Sequence, residues 1–395
     1  MPTFVLTDVS SDVWQETFAV DPTAIGLAEE PPWRVTKQRL RGGRRDGVDL
    51  VVVDNGVLRF SIVPTRGMGL WNGSCGGDRL GWDSPVTDGP IHPGLVNLAA
   101  NGGLGWLDGF DELLARCGLE NNGAPYEERR AGGGPAVTHG LHGRIANIPA
   151  SYVAVHIDPK PPHEIVVEGR VDETRLFGMG VRMETRIATT PGSNRLEVCD
   201  EFVNLKDHPV EMQILYHWNF GPPFLGEGAR LVAPARAVVP RDGIAQAALA
   251  EHDVYRPPTP GFREEVFFQE LIADPTSGET LAMLKSPEGD KAVVLRYRLD
   301  ELPAFTLWKN TGGLRDGYVT GLEPGVNYPN PRPFEKERGR VAALPSGARR
   351  RARMTLDILA TAEQVTRVEK ETDRLQSLSK RVVHPGPIEP FAAPL

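Results

Sequence analysis

Three cysteines in 395 residues, Cys75, Cys117 and Cys199, are an odd number set far apart, with no CxxC pair among them. That scarcity excludes a disulfide framework and a cysteine-based zinc site, and it fits reduced thiols in a cytoplasmic protein. Long apolar runs are missing too, and none approaches the roughly 18 residues a membrane span needs. The opening residues, MPTFVLTDVSSDVW, lack a basic region followed by an apolar core, so no signal peptide is expected. Nor is there an excess of positive charge. Lys and Arg total 44 against 52 Asp and Glu, a formal net charge of -8, which argues against nucleic acid or an anionic membrane as the main partner. The one basic cluster, Arg349-Arg350-Arg351 with Arg353, heads an alternating stretch from Ala352 to Leu359 and reads as a solvated strand end. Missing motifs narrow the chemistry further. There is no G-x-S-x-G elbow of a serine hydrolase, no Walker A sequence and no dinucleotide-type glycine fingerprint, and no cofactor is expected.

Glycine and proline, by contrast, are plentiful. Their 43 and 35 residues make about a fifth of the chain, well above average usage and without a repeat period. Such an excess points to many short strands joined by many turns, and away from helix bundles and coiled coils. The clearest element is a hairpin over 48–63, where Asp54-Asn55-Gly56 separates two alternating apolar runs; Asn-Gly supplies the positive φ that tight hairpin turns need. Between 70 and 150 the periodicity dissolves into glycine, asparagine and isolated aromatics. Trp71, Trp82, Trp106, Phe110 and Tyr126 in that stretch argue for an ordered functional loop region, because disordered chain is poor in aromatics. Strands are expected at 151–157, 164–171, 181–188, 196–204, 210–220, 231–239, 280–285, 291–298, 304–309, 317–322, 340–344 and 352–359. One helix is expected over 362–379, with Val365, Val368, Thr372 and Leu375 on its apolar face. No repeat or linker divides the chain. The expectation is one all-β domain over 1–395, a large antiparallel β-sandwich with few short helices, a core of about 45–360, the C-terminal helix and a Pro-rich tail.

Three segments carry polar residues that a plain strand does not need. They are Thr138-His139-Gly140-Leu141-His142-Gly143-Arg144, Leu215-Tyr216-His217-Trp218-Asn219-Phe220, and Gly321-Leu322-Glu323-Pro324-Gly325. A metal shared by His139 and His142 is disfavoured, since residues three apart in extended chain point to opposite faces and the glycines between and around them oppose a helix. No metal is expected. What remains is a histidine and a carboxylate on separate strand ends, a pairing suited to acid–base chemistry on a neutral, hydroxyl-rich substrate. Flat aromatics such as Trp71, Trp218 and Trp308 suit the apolar face of a sugar ring, although a core role is the plainer reading of each.

Taken in order, these segments and several others form a recognisable set. It runs from Asp54-Asn55-Gly56 and Val63-Pro64-Thr65-Arg66-Gly67-Met68 through Gly81-Trp82-Asp83-Ser84-Pro85 and Cys117-Gly118-Leu119-Glu120-Asn121. It continues with His142-Gly143-Arg144, Leu176-Phe177-Gly178, Asp200-Glu201-Phe202-Val203-Asn204 and Tyr216-His217-Trp218-Asn219-Phe220-Gly221, and ends with Trp308 and Gly321-Leu322-Glu323-Pro324. The set resembles the aldose 1-epimerase (galactose mutarotase-like) superfamily, and within it the DUF4432-type aldose-1-epimerase-like branch. The resemblance implies an antiparallel β-supersandwich that acts on a small-molecule carbohydrate. It implies Glu323 as the general base at the anomeric hydroxyl and His217 as the general acid at the ring oxygen. His142 would bind the sugar and steady the ring oxygen. Arg66 and Arg144 become candidate substrate contacts, with Glu120, Asn121 and Asn219 as further candidates. Well-studied mutarotases also carry an aspartate that grips sugar hydroxyls, and Asp242, in Pro240-Arg241-Asp242-Gly243, is the candidate here. Two alternatives stay open: a carbohydrate-binding or sensing protein without catalysis, and lyase or hydrolase chemistry on a glycoside, for which hydrolysis usually needs a second carboxylate.

Overall fold

The computed structural model describes residues 1–27, 32–128 and 136–394. Two antiparallel sheets pack face to face. The first has ten strands, in the order Arg230–Val232, Glu279–Lys285, Ala292–Arg298, Arg349–Leu359, Arg195–Asn204, Gly180–Thr189, Ile165–Thr174, Tyr152–Ile157, Thr3–Asp8 and Val13–Trp14. The second has fourteen, and its middle runs Ala235–Pro240, Glu265–Leu271, Ala304–Thr311, Tyr318–Gly325, Val210–Phe220, Leu114–Leu119, Gly69–Cys75 and Leu58–Val63. The only parallel pairing of named strands among the described residues joins Val382–Val383 to Ala235–Pro240. The fold is thus the large all-β sandwich expected, and the chain meanders as its turns suggest.

The period of two along each strand sorts side chains between core and outer face. In Val210–Phe220, Ile214, Tyr216, Trp218 and Phe220 enter the core between the sheets, against Val198, Phe202, Met354 and Leu356 from the facing sheet. The alternate residues Leu215, His217 and Asn219 therefore face outward. The expected hairpin is present as Asp49–Asp54 and Leu58–Val63, with Val53 opposite Phe60. Asn55 closes its turn by accepting from the amides of Val57 and Leu58 at 3.0 and 2.7 Å. Its Nδ2 reaches the other sheet, donating to Thr189 Oγ1 at 2.8 Å and to the Thr190 carbonyl at 2.9 Å.

Three expectations need revision. The strand placed at 231–239 is two strands in different sheets, Arg230–Val232 and Ala235–Pro240. Pro234 lies at the crossing and has no N–H to continue a ladder. The stretch from 70 to 150 is not only loop: Leu114–Leu119 is fully buried in the middle of the larger sheet. A strand covered on both faces shows no alternation to read. Glu265–Leu271, also unanticipated, is concealed for the same reason, its pattern nearly all buried. The helix spans Ala362–Gln376, with Thr361 as its N-cap. Val365, Val368 and Leu375 pack on Leu281, Met283 and Val294, the outward face of the ten-stranded sheet. The basic cluster opens the strand Arg349–Leu359, where Arg349 pairs with Glu184 at 2.9 Å.

The outer face of the larger sheet is covered as well. Residues from the glycine-rich stretch, Trp82, Trp106 and Phe110, pack there on Ala115, Cys117, Leu215 and Val319. This second, smaller apolar layer is where one polar residue from each of the three segments, His142, His217 and Glu323, converges.

Candidate functional site

Strand register puts the site together. Thr306 stands opposite Glu323, and with Trp218 opposite Leu322 and Leu215 opposite Gly325, His217 faces Glu323 from the next strand. Ala115 lies opposite His217 on the far side. A second row on the same outward face places Trp308 opposite Gly321 and Asn219 opposite Gly321 in turn. Gly321 is the gap that lets the pair meet. A Cβ there would lie 2.6 Å from Glu323 Oε1 and 2.9 Å from His217 Cε1, closer than real contacts allow. His217 Nε2 sits 3.1 Å from Glu323 Oε1, with the two residues only 4% and 3% exposed.

The hydrogen bonds around His217 fix its protons. Asn219 Nδ2 donates to the carbonyls of Glu112 and His217, both at 3.0 Å. Its Oδ1 must then be the atom 2.6 Å from His217 Nδ1, so Nδ1 carries a proton and Nε2 faces Glu323. Burial pushes Glu323 well above the usual carboxylate range, and nearby Glu264 adds to this. Burial, with His142 nearby, pushes His217 well below the usual imidazole range. Both directions favour one arrangement, a carboxyl donating its proton to a neutral imidazole.

His142 arrives on a different kind of scaffold. It has φ 56°, and Gly143 beside it has φ +68° with no room for a Cβ, which would lie 2.2 Å from the Gly118 carbonyl. Two consecutive left-handed residues turn the chain sharply, and a side chain at the second is excluded. The turn is stitched to its neighbours, His142 N donating to Gly123 O at 3.0 Å and Gly118 N to His142 O at 2.9 Å. His142 Nδ1 donates to the Asn122 carbonyl at 2.8 Å, and burial lowers its pKa to about 4. In that neutral state its Nε2 accepts a hydrogen bond; it donates to a ring oxygen only once protonated. Trp106 lies 4.7 Å from His142, edge to face, and Phe110 lies 5.1 Å from His217.

These residues line a cavity of about 460 Å³ with apolar walls that include Leu104, Leu107, Pro125, Leu141 and Pro329. Arg241, Glu264 and Trp308 stand at its mouth. Arg241 bonds Glu264 Oε1 at 2.8 Å and Asp242 Oδ2 at 2.9 Å, and Trp308 Nε1 donates to Glu264 Oε2 at 2.7 Å. Two carboxylates on one guanidinium leave the mouth without a free cation among the described residues. Two polar atoms in the lining residues, Trp106 Nε1 and Thr306 Oγ1, are buried and make no hydrogen bond. A buried orphan of this kind costs about 1–3 kcal/mol.

Of the residues singled out in the sequence, Glu323, His217 and His142 come together here. Asn219 touches His217, not the cavity. The others lie elsewhere. Arg66 is fully buried and spent on the fold: it pairs with Glu112 at 2.6 Å and donates to the carbonyls of Ile91 at 3.2 Å and Gly109 at 2.9 Å. It pins the glycine-rich stretch and is no substrate contact in this geometry. Arg144 and Glu120 line a separate cavity of about 360 Å³ with His139, Glu120 being paired with Arg175 at 2.7 Å. Asn121 is buried, donating to the Gly140 carbonyl at 2.8 Å. Asp242 caps the short helix Gly243–Ala247 by accepting from Ile244 and Ala245 amides; its neighbour Arg241 reaches the cavity in its place. Trp218 faces the sandwich core and Trp71 packs under the first hairpin, leaving Trp308 as the one expected platform at the cavity. Sequence reading missed Trp106, Phe110, Arg241, Glu264 and Thr306. Thr306 and Trp308 share one face of a strand by their spacing of two, a signal that could have been used. Among the described residues no group of three His, Cys, Asp or Glu side chains is placed to hold a metal ion.

Two large antiparallel sheets, with a cavity on the outer face of one, define the galactose mutarotase-like β-sandwich. Residues 45–358 match the family model described as a domain of unknown function, DUF4432, and the chain belongs to that family. Its structure is similar to the crystal structure of a Klebsiella pneumoniae protein whose assignment as an aldose 1-epimerase is provisional, with 34% identity, 98% of this chain and 99% of that one covered, and a TM-score of 0.93. The fold is shared more distantly with a galactose mutarotase-like protein of Clostridium acetobutylicum (14% identity, 80% and 96% covered, TM-score 0.53). Galactose 1-epimerase of Lactobacillus acidophilus is another distant match (11% identity, 87% and 98% covered, TM-score 0.51). No curated protein matches the sequence. No helix among the described residues is long and apolar enough to cross a membrane.

Proposed function

We propose that this chain is a cofactor-independent aldose 1-epimerase-like enzyme that interconverts the anomers of a sugar or sugar derivative. The observation that carries the reading is the contact of 3.1 Å between His217 Nε2 and Glu323 Oε1, buried at the foot of an apolar-walled cavity. Between them the two groups hold one transferable proton. With that proton on His217, the Glu323 carboxylate takes the proton of the anomeric hydroxyl while the imidazolium gives its own to the ring oxygen. The bond from C1 to the ring oxygen breaks and C1 becomes an aldehyde. Rotation about C1–C2 and the reverse transfers close the ring from the other face. No net proton enters or leaves, so the pair returns to its starting state.

The cavity offers the sugar several further groups. His142 Nε2 accepts from a hydroxyl, and Trp106 Nε1 and Thr306 Oγ1 are the unpartnered donors that other oxygens would satisfy. Glu264 and Arg241 suit hydroxyls at the mouth, and Trp308 the apolar face of a ring. Because Arg241 is already neutralised by two carboxylates, this lining favours an uncharged sugar over a phosphorylated one.

Anomer interconversion followed by polarimetry or NMR over a panel of sugars tests the proposal. Catalysis above the spontaneous rate is expected, with a loss of about 10²–10⁴-fold in His217→Ala and in Glu323→Ala. A wild-type rate no higher than those of the variants overturns it, and saturable sugar binding without rate enhancement would point instead to a sensor. One observation favours glycoside chemistry: Glu264 is a second carboxylate lining the same cavity. Both of its oxygens are held, by Arg241 and Trp308, which suits binding better than catalysis. Release of an aglycone from a glycoside panel would reverse that judgement.

A further inference from the structure

His217 has two nitrogens with different surroundings, and Asn219 is the residue that distinguishes them. In a strand, residues two apart share a face, which brings the Asn219 amide beside the imidazole it follows. Asn219 is fully buried and cannot flip without loss. Its Nδ2 serves the carbonyls of Glu112 and His217 at 3.0 Å each, so a flip would set an oxygen against two oxygens. Its own backbone amide is tied to the Leu113 carbonyl at 2.7 Å. The segment that anchors it is fixed in turn, since Glu112 is held by Arg66.

We propose that Asn219 is a positioning residue that keeps one proton on His217 Nδ1, leaving Nε2 as the nitrogen that exchanges a proton with Glu323 and with substrate. Were Nε2 to carry the fixed proton, Nδ1 would face Asn219 without a bond, and Glu323 would meet a donor that could accept nothing from it. A neutral amide also does what a carboxylate at this position would not. It orients the ring while favouring the imidazolium less than a carboxylate's charge would, so the protonated ring stays a strong acid, as donation to a weakly basic ring oxygen requires. Among the described residues that line the cavity, Glu323, His142, Glu264 and Arg241 are the titratable or charged groups beside His217; none of them contacts Nδ1, whose partner is Asn219 Oδ1. The orientation of the ring stands apart from the reaction, whereas its use on a sugar rests on the epimerase reading.

Ring ¹⁵N NMR of the whole protein, with His217 assigned by the signal lost in His217→Gln, reads the tautomer without turnover. Near neutral pH the wild type is expected to show a protonated Nδ1 that persists in Asn219→Asp and is lost or mixed in Asn219→Leu. In kinetics, Asn219→Leu should lower kcat by about 10²-fold or more, as wrong-tautomer variants of other histidine enzymes do, with KM little changed. Asn219→Asp should move the His217 limb of the pH–rate profile upward. An unprotonated Nδ1 in the wild type overturns the proposal, as does a tautomer indifferent to Asn219→Leu. Should Asn219→Leu fail to fold, the wild-type spectrum and the direction of the Asn219→Asp shift decide. If the tautomer is as stated but no sugar is turned over, the epimerase reading falls and the positioning role stands.

Discussion

Two buried acid–base pairs lie on opposite faces of the same sheet, and they are built on opposite plans. Arg116 and Asp200 bridge the two sheets inside the core, with Nε and Nη2 on the two carboxylate oxygens at 2.6 and 2.9 Å. The remaining capacity is filled: Arg116 also donates to the Met68 carbonyl at 2.7 Å and Thr185 Oγ1 at 2.8 Å, and Tyr216 donates to Asp200 at 2.9 Å. His217 and Glu323 make a single contact, beside a cavity and next to polar atoms with no partner. Side chains of adjacent residues, Tyr216 and His217, serve the two pairs. A fully bonded pair can keep its charges inside a protein. A bare one can share a proton and pass it on, which is the property the proposed site requires.

Breaking the brace should have the largest effect. Asp200→Ala leaves the Arg116 charge buried and unpaired, and a loss of about 3–5 kcal/mol is expected in urea denaturation. The pH dependence comes next. His142 is held neutral by burial, with its pKa lowered from 6.5 to about 4. The folded state therefore binds fewer protons than the unfolded one in that window, and stability is lost as pH falls from 6.5 toward 4, at no more than about 1.4 kcal/mol per pH unit. Comparing denaturation of wild type and His142→Gln across that window should show the variant declining less. Gly321→Ala attacks the meeting of His217 and Glu323. Overpacking should cost about 1–3 kcal/mol and lower the epimerase rate further than the stability loss explains. The smallest stability effect belongs to the pair itself. Glu323→Gln should leave denaturation within about 1 kcal/mol of wild type, because the carboxyl is buried uncharged, while the rate falls about 10²–10⁴-fold. If Glu323→Gln destabilises as much as Asp200→Ala, the contrast fails.

The chain disclosed much of this in one dimension. Asn55-Gly56, the alternation along 210–220 and the apolar stripe Val365, Val368, Thr372 and Leu375 read correctly because each rests on a local rule, a turn conformation or a period. Leu114–Leu119 and Glu265–Leu271 escaped because burial on both faces erases the alternation. Arg66 misled for a different reason. A lone arginine in a glycine-rich segment looks the same whether it binds a ligand or staples a loop, and only its four partners, Glu112, Ile91, Gly109 and Asn147, decide. The Asp242 side chain is taken by a helix N-terminus, while its neighbour Arg241 lines the cavity.

By itself the sequence determined the class of fold and the scarcity of helix, and it singled out His142, His217 and Glu323, which the fold brings to one cavity. Local conformational preference and side-chain chemistry are properties of short segments, and short segments can be read directly. Which strands became neighbours was settled only in three dimensions. That register set Thr306 beside Glu323, placed a glycine where Glu323 and His217 needed room, and gave His217 the one neighbour, Asn219, that fixes its proton. Contacts between residues a hundred positions apart depend on how two sheets pack, and no local pattern carries that information.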